Sequence, residues 1–225
     1  MNEYQQIISV IAMTMGVAWA SGINLYATLI VLGLGGASGN IALPEPLLVL
    51  QDPTVIAAAG LMYCVEFFAD KTPGVDTGWD AIHTFIRIPA GAMLAASAVG
   101  DVTPALQVTA GILGGSLTGI THAGKAGSRV LINTSPEPFS NWLASFSEDI
   151  LVVIGLWSAL YHPVIFLILL GLFILALLWL LPKLWRGIKR VANKIAGWLG
   201  LIDNQQTTII TTDNDPVGRL KKLQE

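Results

Sequence analysis

Charged residues are scarce in this sequence. Only 12% of its 225 residues are Asp, Glu, Lys or Arg and 53% are hydrophobic, whereas a typical soluble domain has roughly 25% charged residues. So few charges cannot cover the surface of a water-soluble globule of this size, and the mean hydropathy of +0.65 agrees. The single cysteine, Cys64, excludes an intrachain disulfide.

Several functional motifs are also missing. The few Lys and Arg residues flank apolar runs instead of forming a basic patch, so we expect no nucleic-acid partner. The sequence has no haem, flavin or nucleotide motif, which leaves the cofactor unknown. We predict no catalytic residue and no resident metal site.

What the sequence does have is a series of long apolar runs. About 20 apolar residues cross the hydrocarbon core as a helix, and Val164–Leu181 is the clearest such run. We predict an all-α fold in which residues 1–183 form a polytopic transmembrane bundle of about six spans. The predicted spans are Ile7–Leu34, Val55–Phe68, Ala81–Val99, Ala105–Thr121, Trp142–Tyr161 and Val164–Leu181.

The basic residues predict an orientation. With six spans and the N-terminus inside, all 12 Lys and Arg residues fall on the cytoplasmic side. The predicted outer loops, roughly 35–53, 99–104 and 161–163, contain none. This distribution agrees with the positive-inside rule, so we expect both termini to be cytoplasmic.

The segment after the last span has a different pattern. In residues 184–202, apolar residues such as Trp185 and Ile188 recur at helical spacing, opposite basic residues such as Arg186 and Lys189. This pattern predicts an interfacial amphipathic helix that binds anionic lipid headgroups, and a simple stop-transfer anchor is the alternative. We predict that residues 203–225 form a disordered cytoplasmic tail.

Two polar interruptions suggest an internal repeat. The predicted helix-break residues are Ser21, Gly22 and Asn24 in the first span, and Gly124 and Gly127 after the fourth. Each interruption precedes a proline-containing loop, Pro44-Glu45-Pro46 or Pro136-Glu137-Pro138, and then a short apolar span. Two inverted three-helix repeats with broken helices, as in many secondary transporters, would explain the pattern. Chance similarity between glycine-rich apolar segments is the alternative.

Ionisable residues concentrate at the predicted cytoplasmic ends of the spans. Charges inside a membrane are costly unless they are paired or face water, so they are functional candidates by default. The predicted substrate- or ion-binding residues are Glu66, Asp70, Asp80, His83, Arg87, His122, Lys125, Arg129, Glu148 and Asp149. Glu66 and Asp70 share one helix face. Alternatively, these charges pair at the interface and set helix register without binding a ligand.

Three blocks of sequence resemble a known family. The runs SGINLYAT, EFFADKTPGVDTGWDAIHTFIRIPAGA and HAGKAGSRVLINTSPEPFSNW are similar to signature blocks of a bacterial integral-membrane family, domain of unknown function 4126. The resemblance extends over about residues 7–180. It implies a multi-span protein of the bacterial inner membrane, and no established activity accompanies it.

Three functions agree with these observations. The first is a small transporter or permease for a small ion or metabolite, in which Glu66 or Asp70 binds a coupling proton or cation. Arg87 and Arg129 would then bind an anionic substrate or neutralise the carboxylate. The second is a membrane enzyme acting on a lipid phosphate, held by Arg129 at the predicted helix break, with Mg²⁺ on carboxylates such as Asp76. The third is a non-catalytic scaffold that forms a homo-oligomer. We favour the transporter, because no nucleophile supports an enzyme and a scaffold has no need of charges at membrane depth.

Overall fold

The computed structural model describes residues 2–72, 74–133 and 138–198, and every regular element within them is a helix. The elements are α1 (Glu3–Ile23), α2 (Leu25–Ala37), a 3-10 helix (Glu45–Gln51), α3 (Pro53–Ala69), α4 (Val75–Ala98), α5 (Pro104–Ile132), α6 (Pro138–Tyr161) and α7 (Pro163–Trp198). The prediction of an all-α fold is confirmed.

Several of these helices are suited to a membrane. Among the described residues, α1, α4, α6 and α7 are long and apolar enough to cross one. The 3-10 helix and α3 meet at an angle of 68° and together make a fifth candidate span. With 29 residues, α5 has sufficient length, but its many Gly, Ser and Thr residues lower its hydropathy. The helices therefore indicate a multi-span membrane protein, while the count of six spans is not confirmed.

The first predicted span is two helices. α1 ends at Ile23, and Asn24 is extended, with φ −146° and ψ 102°. The Asn24 side-chain oxygen accepts a hydrogen bond from the backbone N–H of Ala27 at 2.9 Å. Asn24 thus caps the start of α2, since an N-cap side chain satisfies one of the free N–H groups of the first turn.

The chain reverses its direction at Asn24. The Asn24 side chain donates to Asp149 at 3.0 Å, and the hydroxyl of Tyr161 donates to the carbonyl of Asn40, just beyond α2, at 2.8 Å. Because Asp149 and Tyr161 lie about 18 Å apart along α6, α2 runs parallel to α6.

In contrast, α1 runs antiparallel to α6. A Cβ placed on Gly16 would lie 2.7 Å from the Cβ of Ala159, and one placed on Gly155 would lie 2.1 Å from the Trp19 ring. Position along α1 therefore increases as position along α6 decreases. We call α1 and α2 the hairpin, with Asn24 at its tip.

The prediction of one overlong span over Ile7–Leu34 is therefore wrong. Its polar patch does mark the interruption, but the extended backbone of Asn24 turns the chain back on itself. A cavity at the open end of the hairpin is lined by Ser9, Asn40, Gly100 and Tyr161, so the start of α1 lies beside the predicted outer loops. The predicted orientation of the termini is not confirmed.

The predicted break at Gly124 and Gly127 is wrong as well, because α5 is continuous from Pro104 to Ile132. A Cβ at Gly124 would lie 2.7 Å from a methyl carbon of Leu177, so this glycine permits the close approach of α7. Without a break in α5, the described residues of the second half contain no break that matches Asn24 within its first apolar span. The inverted repeat is not confirmed.

The chain divides into two units, residues 1–184 and 185–225. The predicted amphipathic segment 184–202 is helical as far as Trp198, where α7 ends, and Pro182 lies inside that helix. Its position at a membrane surface stays a prediction. Residues 199–225, and with them the predicted tail, lie outside the described residues.

The hairpin can be tested by cysteine labelling from one side of the membrane. In a Cys64→Ala background, we expect Glu3→Cys and Asn40→Cys to react with a membrane-impermeant thiol reagent from the same side. Thr72→Cys, at the other end of the bundle, should react only from the opposite side. A single long span would instead place positions 3 and 40 on opposite sides, which would contradict the reversal at Asn24.

Packing of the hairpin against α5 gives a second test. A Cβ at Gly22 would lie 2.6 Å from the backbone oxygen of Thr118 and 2.8 Å from the Cβ of Thr121. Because backbone cannot move aside cheaply, we expect Gly22→Ala to lower the free energy of unfolding by about 1–3 kcal/mol, measured by SDS titration in mixed micelles. Gly60, also in a helix, has nothing within 4 Å of such a Cβ. Gly60→Ala should be neutral or stabilising by up to about 1 kcal/mol, and an equal loss in both variants would refute the packing argument.

Candidate functional site

Seven charged side chains from four helices meet beside the tip of the hairpin. We call them the charged cluster: Glu66 and Asp70 at the end of α3, Asp80 and Arg87 on α4, Lys125 and Arg129 on α5, and Glu148 on α6. Six of them are buried, and the side chain of Glu148 is 16% exposed. All seven belong to the predicted set, so the structure brings most of that set together.

The charged cluster lies inside an apolar belt. Many of the exposed side chains on the same helix turns are large and hydrophobic: Val65, Phe68, Ile82, Phe85, Ile86, Phe146 and Ile150. Such a surface suits contact with lipid better than contact with water. The ion pairs are therefore enclosed behind an apolar surface.

Arg87 links the cluster to the tip of the hairpin. Its guanidinium forms an ion pair with Glu66 and donates a hydrogen bond to the carbonyl of Ile23 at 3.1 Å. The ammonium of Lys125 donates to the same carbonyl, also at 3.1 Å. The last carbonyls of a helix have no partner within it, and cations are favourable there because of the helix dipole. Two cations thus satisfy the terminal carbonyl of Ile23 at the buried end of α1.

Lys125 is the centre of the network. Its ammonium lies 2.8 Å from a carboxylate oxygen of Asp70 and 3.4 Å from oxygens of Glu66 and Glu148. An ammonium has three N–H donors, so a single side chain ties α3, α6 and α1 to α5.

Arg129 is held at the other edge of the cluster. One terminal nitrogen lies 2.8 Å from Glu148, and the other donates to the carbonyls of Asp70 at 3.2 Å and Asn141 at 3.0 Å. The helix break that was predicted to support an anion site at Arg129 is absent, because α5 is continuous there and the backbone N–H groups of a helix interior are already bonded. Arg129 is a cross-link between helices.

Asp80 differs from the other carboxylates. It is buried, yet neither of its carboxylate oxygens has a hydrogen-bond partner among the described residues. The nearest cations are Arg87 at 3.7 Å and Lys125 at 3.9 Å. Four carboxylates therefore share three cations, and Asp80 is the one without a close partner.

The two predicted histidines act as hydrogen-bonding groups beside the cluster. Nε2 of His122 lies 3.0 Å from the carbonyl of Asp80, which can only accept, so Nδ1 is free to accept from Arg87 at 3.2 Å. Nδ1 of His83 likewise donates to the carbonyl of Trp79 at 3.0 Å. Both contacts suit neutral imidazoles. Neither histidine forms an ion pair with another described residue.

The last predicted residue, Asp149, lies outside the charged cluster. Its carboxylate accepts from Asn24 at 3.0 Å and from the hydroxyl of Tyr63 at 2.9 Å. It therefore fastens the tip of the hairpin to α3 and α6, without forming an ion pair.

Sequence reasoning missed several residues of this region. The hydroxyl of Tyr26 lies 3.1 Å from Nε2 of His83. The ammonium of Lys71 lies 3.0 Å from the ring centroid of Phe67 and donates to the hydroxyl of Ser145 at 3.1 Å. Tyr26 sits directly after the polar break, which was a usable signal. The surroundings of Lys71 depend on α6, and no local pattern predicts them.

No group of three or more His, Cys, Asp or Glu side chains in the described part of the chain is arranged to hold a metal ion. Asp76, one of the carboxylates considered for Mg²⁺, instead accepts hydrogen bonds from the N–H groups of Gly74 and Thr77 and from Asn133. Its position is explained by capping the start of α4.

Comparison with known proteins gives one match. A family model described as "Domain of unknown function (DUF4126)" matches residues 11–183. The matched region contains the whole charged cluster and the tip of the hairpin. The chain matches no curated protein and no solved structure.

The ion pair between Glu66 and Arg87 can be tested with a double-mutant cycle. Removing one partner of a buried pair leaves an uncompensated charge, so Glu66→Met or Arg87→Met should each cost about 3–5 kcal/mol. The double variant should cost much less than the sum, because neither charge remains. The free energy of unfolding from SDS titration is the measurement, and Glu45→Met, at an exposed position, is the control. Additive losses would show that the two charges do not stabilise each other.

Proposed function

The chain belongs to the DUF4126 family, whose description names no activity, and we propose from its geometry that it is a small integral membrane transporter or permease. The transported species would be a small ion or metabolite, coupled to a proton or another cation. One observation carries the proposal: a charged cluster with unequal numbers of carboxylates and cations is enclosed within the apolar belt at the tip of a hairpin.

The depth of the hairpin tip supports a transport site. α6 extends from the level of Asp149 to Pro138, a further 11 residues or about 16 Å. The hairpin therefore enters from one end of the bundle and stops before the other. Helices that end at membrane depth, with their free backbone groups turned to polar side chains, are typical of the substrate sites of secondary transporters.

The charge balance supports coupling. If all four carboxylates of the charged cluster are ionised, the cluster has four negative charges and three positive charges, from Arg87, Lys125 and Arg129. Its net charge is then −1. An uncompensated charge is costly in a low-dielectric interior. One proton or one small cation would make the cluster neutral, and a group that binds and releases such a charge can couple its movement to that of a substrate.

We also propose an orientation. The basic residues Lys71, Lys125, Arg129 and Lys183 lie toward one end of the first unit, and by the positive-inside rule this end faces the cytoplasm. The start of α1 then lies on the outer side. The bacterial inner membrane is the location that the family resemblance implies. Binding of anionic lipid by residues 184–202 and assembly into a homo-oligomer stay predictions.

The lipid-phosphate enzyme has no observation in its favour. The helix break that was to supply backbone N–H groups is absent, and the terminal nitrogens of Arg129 already donate to protein oxygens. The inverted repeat is not part of the proposal either, since α5 is continuous where the matching break was predicted.

Transport can be tested in liposomes. Purified protein would be reconstituted with a pH-sensitive dye inside, and proton flux recorded under imposed pH gradients and membrane potentials against a panel of inorganic ions, organic ions and metabolites. We expect a substrate-dependent proton or charge flux in the wild type. Glu66→Gln should reduce it at least tenfold, because Arg87 loses its anionic partner and the charge balance of the site changes.

The matched control is Glu45→Gln, the same substitution at an exposed position outside the charged cluster, which should transport like the wild type. Size-exclusion profiles would show that both variants are folded. If the folded wild type moved nothing across the whole panel, or if Glu66→Gln transported normally, the proposal would fail.

A further inference from the structure

Asp80 is the only carboxylate of the charged cluster that receives no charged hydrogen bond. Glu66 is paired with Arg87, Asp70 lies 2.8 Å from the ammonium of Lys125, and Glu148 lies 2.8 Å from Arg129. Asp80 has two buried oxygens without a partner and is 1% exposed. An ionised carboxylate normally accepts several hydrogen bonds, and a buried one without them is costly.

We propose that Asp80 is the proton-binding residue of the charged cluster. This deepens the proposed function, on which its role in coupling rests, because it names the ion as H⁺ and its site as one side chain. The three cations satisfy three carboxylates, so the proton that neutralises the cluster belongs on the fourth. Asp80 alternates between the carboxylic acid and the carboxylate as it binds and releases a proton.

The surroundings of Asp80 come from six helices, four of which contribute charged groups. The charged and titratable groups that face it are Arg87 and His83 on its own helix, Lys125, His122 and Arg129 on α5, Glu66 and Asp70 from α3, and Glu148 from α6. From the hairpin, α1 contributes backbone carbonyls and α2 contributes Tyr26, which bonds to His83. Three cations and three other carboxylates therefore balance around Asp80.

The same geometry connects the proton to the hairpin. The two cations nearest to Asp80, Arg87 and Lys125, are the two that donate to the carbonyl of Ile23. A carboxylate accepts a hydrogen bond from a cation more strongly than a neutral carbonyl does. When Asp80 loses its proton, it draws these cations away from Ile23 and loosens the hairpin tip. When Asp80 binds a proton, the cations return to Ile23.

Infrared spectroscopy of the purified, membrane-reconstituted protein tests this directly, because a protonated carboxyl group has its own C=O stretching band. We expect such a band near neutral pH. It should shift when aspartate is labelled with ¹³C at its side-chain carboxyl and stay unshifted with labelled glutamate. It should be lost in Asp80→Asn and retained in Asp76→Asn and Asp149→Asn, which remove buried or half-buried aspartates outside the charged cluster.

A second variant keeps the test decisive if Asp80→Asn does not fold. In Asp80→Glu the band should persist but become sensitive to labelled glutamate instead of labelled aspartate. A band that survives in folded Asp80→Asn, or that follows labelled glutamate in the wild type, would overturn the assignment.

The outcomes also separate this inference from the proposed function. A band on Asp80 without any transport would support proton binding there and refute the transporter. Proton-coupled transport that remains intact in folded Asp80→Asn would support the transporter and refute Asp80 as the proton site.

Discussion

A guanidinium or ammonium group that leaves water loses several kcal/mol of solvation, and inside a protein only well-placed anions and carbonyls compensate for it. Arg87, Lys125 and Arg129 are all buried and impose this condition within the bundle. Each must be met by carboxylates from a neighbouring helix, so α3, α4, α5 and α6 have little freedom to slide past one another. The arrangement of the described helices around the cluster follows from this one requirement.

The hairpin depends on the same cations. A helix that ends within an apolar belt leaves carbonyls that no water can satisfy. At the end of α1, Arg87 and Lys125 donate to the carbonyl of Ile23, while Asn24 caps α2 and reaches Asp149. Ending α1 at membrane depth is therefore tolerable only next to this cluster. The small side chain at Gly22 lets the tip approach α5 closely enough for these bonds to form.

Local patterns were sufficient to find the site but not to assemble it. A spacing of four residues places Glu66 with Asp70, and Lys125 with Arg129, on single helix faces, so the candidate residues could be identified from sequence. The sequence could not show whether Ile7–Leu34 crosses the membrane once or turns back, because a run of that length fits a tilted span as well as a hairpin. The role of a glycine could not be predicted either. Gly124 permits close packing against Leu177 and does not break the helix, and this contact depends on the tertiary structure. Partners such as Glu148 for Arg129 depend on tertiary packing.

The unequal charges are what distinguish this cluster from a purely structural one. A network that only held helices together would be most stable with each cation matched by one carboxylate, or with apolar residues of similar volume in place of the pairs. Asp80 adds a fourth carboxylate that is poorly satisfied while it is ionised, because its oxygens accept no hydrogen bond from the described residues and its nearest cations are 3.7 and 3.9 Å away. Once protonated, it removes the surplus charge and leaves Arg87 and Lys125 to bind the tip of the hairpin. Asp80 is thus unfavourable when ionised and compatible with the fold when protonated. The hydrogen bonds that Arg87 and Lys125 donate to the hairpin tip therefore depend on a single proton. Such a dependence is the physical basis that proton coupling requires.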